Sequence, residues 1–71
     1  MIICEVKGEF IQLNQFLKLE NHAMSGGDAR SRIENGEVKV NGEVTNVIRK
    51  KLRTGDTVEI DGTVYQIKAE E

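Results

Sequence analysis

The sequence predicts an α+β domain: a leading strand, two short helices, then a small antiparallel sheet of hairpins. Three observations carry that expectation. Apolar residues alternate in Ile2–Lys7, Val38–Val40 and Thr57–Ile60, but recur at helical spacing in Leu13, Phe16, Leu17 and again in Ala29, Ile33. Asn41-Gly42 and Asp61-Gly62 are two-residue hairpin signals, because a tight primed turn needs two positive φ angles in a row. Asn35-Gly36 offers the left-handed stop that ends a helix before the sheet begins.

In chain order, Ile2 to Lys7 reads as a strand with Ile2, Cys4 and Val6 on one face and Ile3, Glu5 and Lys7 on the other; Gly8 ends it. Cys4 on such a strand reads as core, since a nucleophilic thiol needs an activating neighbour. A helix is expected from Leu13 to about Asn21, with Leu13, Phe16 and Leu17 on the apolar stripe and Lys18 off it. Asn21 to Met24 connects to a second helix; His22 reads as a surface histidine and Met24 as packed down on the core.

The second helix is expected from Gly26 to Asn35. Ser25 supplies a capping oxygen, and Asp28 completes a capping box or at least puts an acid in the first turn. Gly26 and Gly27 permit close approach of other backbone. Arg30 and Arg32 flank the Ala29–Ile33 stripe on opposite sides, and Arg32 reads as a solvated charge. In the sheet, Val38 and Val40 point inward and Lys39 outward. Asn46-Val47-Ile48 breaks the alternation, and Arg49-Lys50-Lys51 is a basic loop anchored by Leu52. Thr54-Gly55-Asp56 turns the chain, and Lys68 to Glu71 reads as a frayed acidic tail.

The totals narrow the function classes. Seventy-one residues with 38% hydrophobic and 31% charged content suit one small soluble domain, here residues 1–71. No signal peptide or membrane span is readable, and one cysteine excludes an internal disulfide, so a cytoplasmic setting is expected. The net charge is −2, but it is unevenly spread. Residues 30–53 hold seven bases and three acids, a net +4, against −6 for the remainder. A basic centre on an acidic body is an electrostatic footprint for a polyanion. No phosphate-binding lysine loop, dinucleotide fingerprint, nucleophile elbow or paired carboxylates appear, so no enzyme is expected. With one His and one Cys, no soft-ligand metal cluster can be assembled, and no cofactor is expected.

The ordered set Leu13, Phe16-Leu17-Lys18, Ser25-Gly26-Gly27, Ala29-Arg30, Ile33, Gly36, Val38-Lys39-Val40-Asn41-Gly42, Arg49-Lys50-Lys51-Leu52 and Gly55-Asp56 resembles a known pattern. It is that of the RNA-binding domain named after small-subunit ribosomal protein four, with its alpha-L motif of two short helices. The resemblance is nearest to the stand-alone YbcJ-like family and spans about residues 11–60. It implies non-catalytic binding of structured RNA, ribosomal or otherwise folded, by a monomer with no small-molecule substrate and no membrane. The residues so implicated are Lys18, Ser25, Gly26, Gly27, Arg30, Lys39, Asn41, Arg49, Lys50, Lys51 and Arg53. Each has a plainer reading beside it. Lys18 is equally an ordinary solvated lysine, and Gly26-Gly27 serve either a phosphate at free helix amides or a tight helix corner. The family pattern often carries arginines where Val47 and Ile48 stand, so two phosphate contacts are absent here. Phe10, Phe16 and Tyr65 are too few for a stacking platform, which leaves recognition by shape and phosphate position.

Two other classes compete. A protein-docking module with a basic loop would use Val47 and Ile48 as exposed apolar contacts. A ubiquitin-like sulfur carrier shares the Val-Asn-Gly and Leu52-x-x-Gly55-Asp56-x-Val58 signals, but needs a C-terminal Gly-Gly where this sequence reads Ala69-Glu70-Glu71.

Overall fold

The computed structural model describes residues 1–70. Seven strands and two helices follow in the order β1 (Ile2–Lys7), β2 (Ile11–Gln12), α1 (Leu13–Leu19), α2 (Gly26–Glu34), β3 (Lys39–Val40), β4 (Glu43–Val44), β5 (Lys51–Leu52), β6 (Thr57–Ile60) and β7 (Thr63–Glu70). Five strands form one sheet in the order β1-β7-β6-β3-β4, and β2 with β5 forms a separate two-stranded pair.

The hairpins are antiparallel as expected, and both turns have the required pair of positive φ angles: 52° and 84° at Asn41-Gly42, 54° and 76° at Asp61-Gly62. The leading strand adds something the pattern did not reveal. It joins the sheet parallel to β7, with Cys4 opposite Ile67 and Lys7 opposite Glu70, so the sheet is mixed. That pairing also orders the acidic tail. Residues 68–70, expected to fray, are held in β7 by the β1 ladder, while Glu71 lies outside the described residues.

All burial falls on one face of the sheet. Cys4, Val6, Val40, Val58, Ile60, Tyr65 and Ile67 pack against Leu13, Phe16, Leu17, Ala29 and Ile33 of the helices. The Phe16 and Tyr65 rings meet edge-to-face at 5.2 Å. On the other face Ile3, Glu5, Lys7, Lys39, Glu59 and Lys68 are exposed, so no second layer covers it. Cys4 is 2% exposed, and burial pushes its thiol up to about 12, with Glu20 beside it adding to the shift.

Both helices end by the same device. At α2, the Gly36 N–H donates to Ile33 O and the Glu37 N–H to Arg32 O, with Gly36 at φ 76°. At α1, the Asn21 N–H donates to Lys18 O and the His22 N–H to Leu17 O, with Asn21 at φ 61°. This left-handed Asn21 stops α1 at Leu19, two residues before the expected end.

Candidate nucleic-acid interface

The tip of α2 is built by its own side chains. Ser25 Oγ accepts from the Asp28 N–H at 3.1 Å, the expected cap. The Asp28 carboxylate does not return to Ser25; it accepts from the Met24 N–H at 2.9 Å, one residue further out. The Gly26 and Gly27 N–H groups make no hydrogen bond among the described residues. No other backbone comes close, contrary to expectation: a Cβ on Gly26 would meet nothing within 4 Å, and one on Gly27 only Ser25 Oγ at 3.9 Å. The tip therefore stands open, with two amides aimed outward and one carboxylate, Asp28, already in the first turn. Met24 is 97% exposed rather than packed down, and its N–H is engaged by the Asp28 carboxylate at the α2 tip.

Arg30 lies one turn further along. Its side chain is 66% exposed and its Nε is 3.4 Å from Glu34 Oε1, a surface pair of the kind worth about 0–1 kcal/mol and open to displacement by a phosphate. Arg32, expected to be solvated, is a clamp. Its Nη1 donates to His22 O and to Asp61 Oδ2, both at 2.9 Å; its Nη2 donates to Asp61 Oδ1 at 2.9 Å and Glu37 Oε1 at 3.2 Å. His22 is likewise no loose surface residue. Its side chain is 14% exposed, with Nδ1 at 3.1 Å from Asp61 Oδ2 and Nε2 at 2.6 Å from the Tyr65 hydroxyl. The Arg32 hydrogen bonds, and then that of His22, hold the Asp61 carboxyl below the usual carboxylate range. The same bonds to Asp61 push the Arg32 guanidinium up.

The basic run is tied to the other helix. β5 pairs with β2, placing Lys51 opposite Gln12 and Leu52 opposite Ile11. The first N–H groups of α1 then donate into this segment, Leu13 to Lys50 O at 2.8 Å and Asn14 to Ile48 O at 3.1 Å. Thus residues 48–52 form a backbone cap on α1 rather than a free loop. Arg49 and Lys51 remain exposed, Lys50 is half-buried, and Lys51 Nζ lies 4.9 Å over the Phe10 ring. Buried Leu52 anchors the segment; Val47 is 53% exposed and Ile48 is half-buried against the core.

The remaining predicted residues fall into separate places. Lys50 shares a shallow hollow with Asn41, Glu43 and Val44 of the β3–β4 hairpin. Asn41 spends its side chain internally: Oδ1 accepts from the Thr57 N–H at 2.9 Å and Nδ2 donates to Asp56 Oδ1 at 3.1 Å. Asp56 Oδ2 in turn accepts from the Arg53 N–H at 2.8 Å, so Arg53 is fixed beside the same turn with its side chain exposed. Lys39 stands between buried Val38 and Val40 and points to the uncovered sheet face, flanked by Glu59 and Val44 in register. It is on the opposite side of the sheet from α2 and Arg30. Lys18 lines a groove between β1 and α1 with Lys7, Phe10 and Leu19. The structure therefore joins Lys50, Asn41 and Arg53 around one turn and hairpin, and Ser25–Gly27 with Arg30 at another helix.

Among the described residues, no group of three His, Cys, Asp or Glu is placed to hold a metal, and no helix is long and apolar enough to cross a membrane.

Comparison with known proteins adds the following. A family model described as an S4 domain matches residues 4–68. The chain is 48% identical over 54 residues to the probable ribosome maturation protein RlbA of Bacillus subtilis, covering 76% of each. It is 38% identical over 63 residues to the putative RNA-binding protein YbcJ of Escherichia coli, covering 89% of this chain and 90% of that one. The solution structure of the E. coli protein, described as revealing an alpha-L motif involved in RNA-binding, superposes with a TM-score of 0.67 at 35% identity, over 94% of this chain and 86% of that one. The 30S ribosomal protein S4e of Thermoplasma acidophilum shares the fold, with a TM-score of 0.61 at 24% identity, over 83% of this chain and 31% of that one.

Proposed function

The chain belongs to the S4 domain family, and from that premise we propose that it binds structured RNA in the cytoplasm as a monomer and catalyses no reaction. Folded ribosomal RNA is the target class, a reading supported by the ribosome maturation role named for a relative 48% identical to it. The observation that carries the proposal is the attachment of the basic run to α1. Backbone bonds at 2.8 and 3.1 Å hold residues 48–50 against the helix start, so Arg49, Lys50 and Lys51 project from a fixed platform. A rigid array of cations matches the fixed phosphate spacing of a folded RNA better than the changing shape of a single strand. Arg53 extends the array, and Arg30 with the open amides of Gly26 and Gly27 supplies a second phosphate contact. Lys18 and Lys39 reach the RNA only where it wraps the groove or the uncovered face of the sheet. Asn41 acts by shaping the turn.

The test is the salt dependence of affinity for a folded RNA hairpin and for an unstructured strand of equal length. Neutralising a few phosphates gives a slope of log affinity against log salt near −2 to −4, with the hairpin bound more tightly. A slope near zero, or no binding at low salt, refutes the proposal. Exposed Val44 and Val47 favour one competing reading, a docking surface for another protein. A pull-down with and without nuclease separates the two: capture lost with nuclease supports RNA, and capture retained supports a protein partner.

A further inference from the structure

Binding as described above leaves one side-chain cluster without a part. Asp61, Arg32, His22 and Tyr65 come from the β6–β7 turn, α2, the helix connector and β7, and they meet in one hydrogen-bonded array. The array joins three things. Asp61 is held by the tight turn, at φ 54°. Arg32 grips both Asp61 oxygens at 2.9 Å, which fixes α2 against that turn. The same guanidinium takes His22 O at 2.9 Å, and the His22 ring is caught between Asp61 and the Tyr65 hydroxyl, which fixes the connector that runs directly into Ser25. The connector's backbone N–H groups make only local hydrogen bonds, back to Phe16, Leu17 and Lys18 and forward to Asp28.

We propose that Asp61 and Arg32 are positioning residues for RNA binding: through this array they set where the α2 tip and Arg30 stand relative to the sheet, while touching no RNA themselves. The inference rests on the proposed RNA-binding role. It differs in sign from what charge alone predicts. Asp61 is an acid on an anion binder, so removing its charge should strengthen binding if electrostatics decided the matter. Arg32 replaced by Lys keeps its charge, so binding should be unchanged on the same view. Positioning predicts a loss in both cases. An amide at position 61 offers one acceptor oxygen where Arg32 grips two, and its NH2 faces the guanidinium as a second donor; a lysine lacks the planar fork that reaches both Asp61 oxygens and His22 O together.

The experiment has two arms, each on the full chain as wild type, Asp61→Asn, Arg32→Lys and Tyr65→Phe, at a urea-free condition where each is folded by circular dichroism. The first arm needs no RNA: amide hydrogen exchange and ¹⁵N shifts are read at Gly26, Gly27 and Ala23. Faster exchange and shifted resonances there, with the β6 and β7 strand interiors unmoved, are expected for Asp61→Asn and Arg32→Lys. The second arm measures affinity for a folded RNA hairpin across salt. A roughly three- to ten-fold loss is expected, because no cation is removed and only the placement of the Arg30 and α2-tip contact is disturbed. Tyr65→Phe removes only the 2.6 Å bond to His22 and should give the same direction with a smaller loss. Unmoved Gly26 and Gly27 amides overturn the inference, as do affinity gained in Asp61→Asn or affinity unchanged in Arg32→Lys, which would mean that charge alone counts. Should wild type bind no RNA while the first arm succeeds, the RNA role fails and the internal positioning stands.

Discussion

Neutralising Arg49 and Lys51 together is the most direct assault on the basic platform. Both side chains are exposed, and neither forms an ion pair among the described residues, so the double change Arg49→Gln, Lys51→Gln removes two free cations. The structural cost is small. Lys51 gives up its place over Phe10, about 0.5–1 kcal/mol at an exposed site. The carbonyls of Ile48 and Lys50 that cap α1 belong to the backbone and are untouched. A 71-residue domain has roughly 4–10 kcal/mol of stability, so the variant stays folded. The binding cost is larger. Each phosphate contact contributes about 0.7–0.9 to the salt slope, hence about 0.7–0.9 log unit of affinity at 0.1 M salt. Two contacts amount to roughly 25- to 60-fold, with the slope shallower by about 1.4–1.8. Fluorescence anisotropy with a labelled RNA hairpin at four or more salt concentrations reads both quantities, and a urea titration confirms the fold. Unchanged slope and affinity in a folded variant would show that the platform on α1 meets no phosphate.

Three further outcomes follow from the geometry. Ser25→Ala removes the oxygen that accepts the Asp28 N–H and should cost about 1 kcal/mol, read as a lower urea midpoint at unchanged m-value. Cys4, buried with its thiol pushed up to about 12, should resist a thiol reagent at pH 8 in the native protein and react only in denaturant; fast native labelling would contradict the packed β1. Asp61 is held below the ordinary carboxylate range, so the unfolded chain takes up its proton first as pH falls. Its contribution is thus present above about pH 4 and lost as pH falls further, and wild type should lose stability below about pH 4 more steeply than Asp61→Asn.

The strand and helix boundaries that were readable all rest on bonds spanning a few residues. Ser25 caps α2 through Asp28, three positions away. Gly36 stops the helix because its φ of 76° is one that a side chain resists. Asn41-Gly42 and Asp61-Gly62 make tight turns for the same reason, and the alternating valines declare which face of each strand is buried. These features are written locally, in backbone preference and side-chain reach, and the family pattern of residues 11–60 is assembled from them.

The tertiary structure alone decided what those local pieces meet. The parallel pairing of Ile2–Lys7 with residues 65–70 has no turn to announce it, since the partners lie at opposite ends of the chain. His22 and Arg32 looked solvated because their partners, Asp61 and Tyr65, are 29 to 43 positions away. The basic run looked like a loose loop because its carbonyls, not its charges, carry its structural role on α1. A charge pattern records which side chains are cationic; the sheet divides them, sending Lys39 to one face and Arg30 to the layer on the other. Local sequence encodes bonds that close over a few residues, whereas contacts that must first close a long loop depend on how all the buried faces pack together.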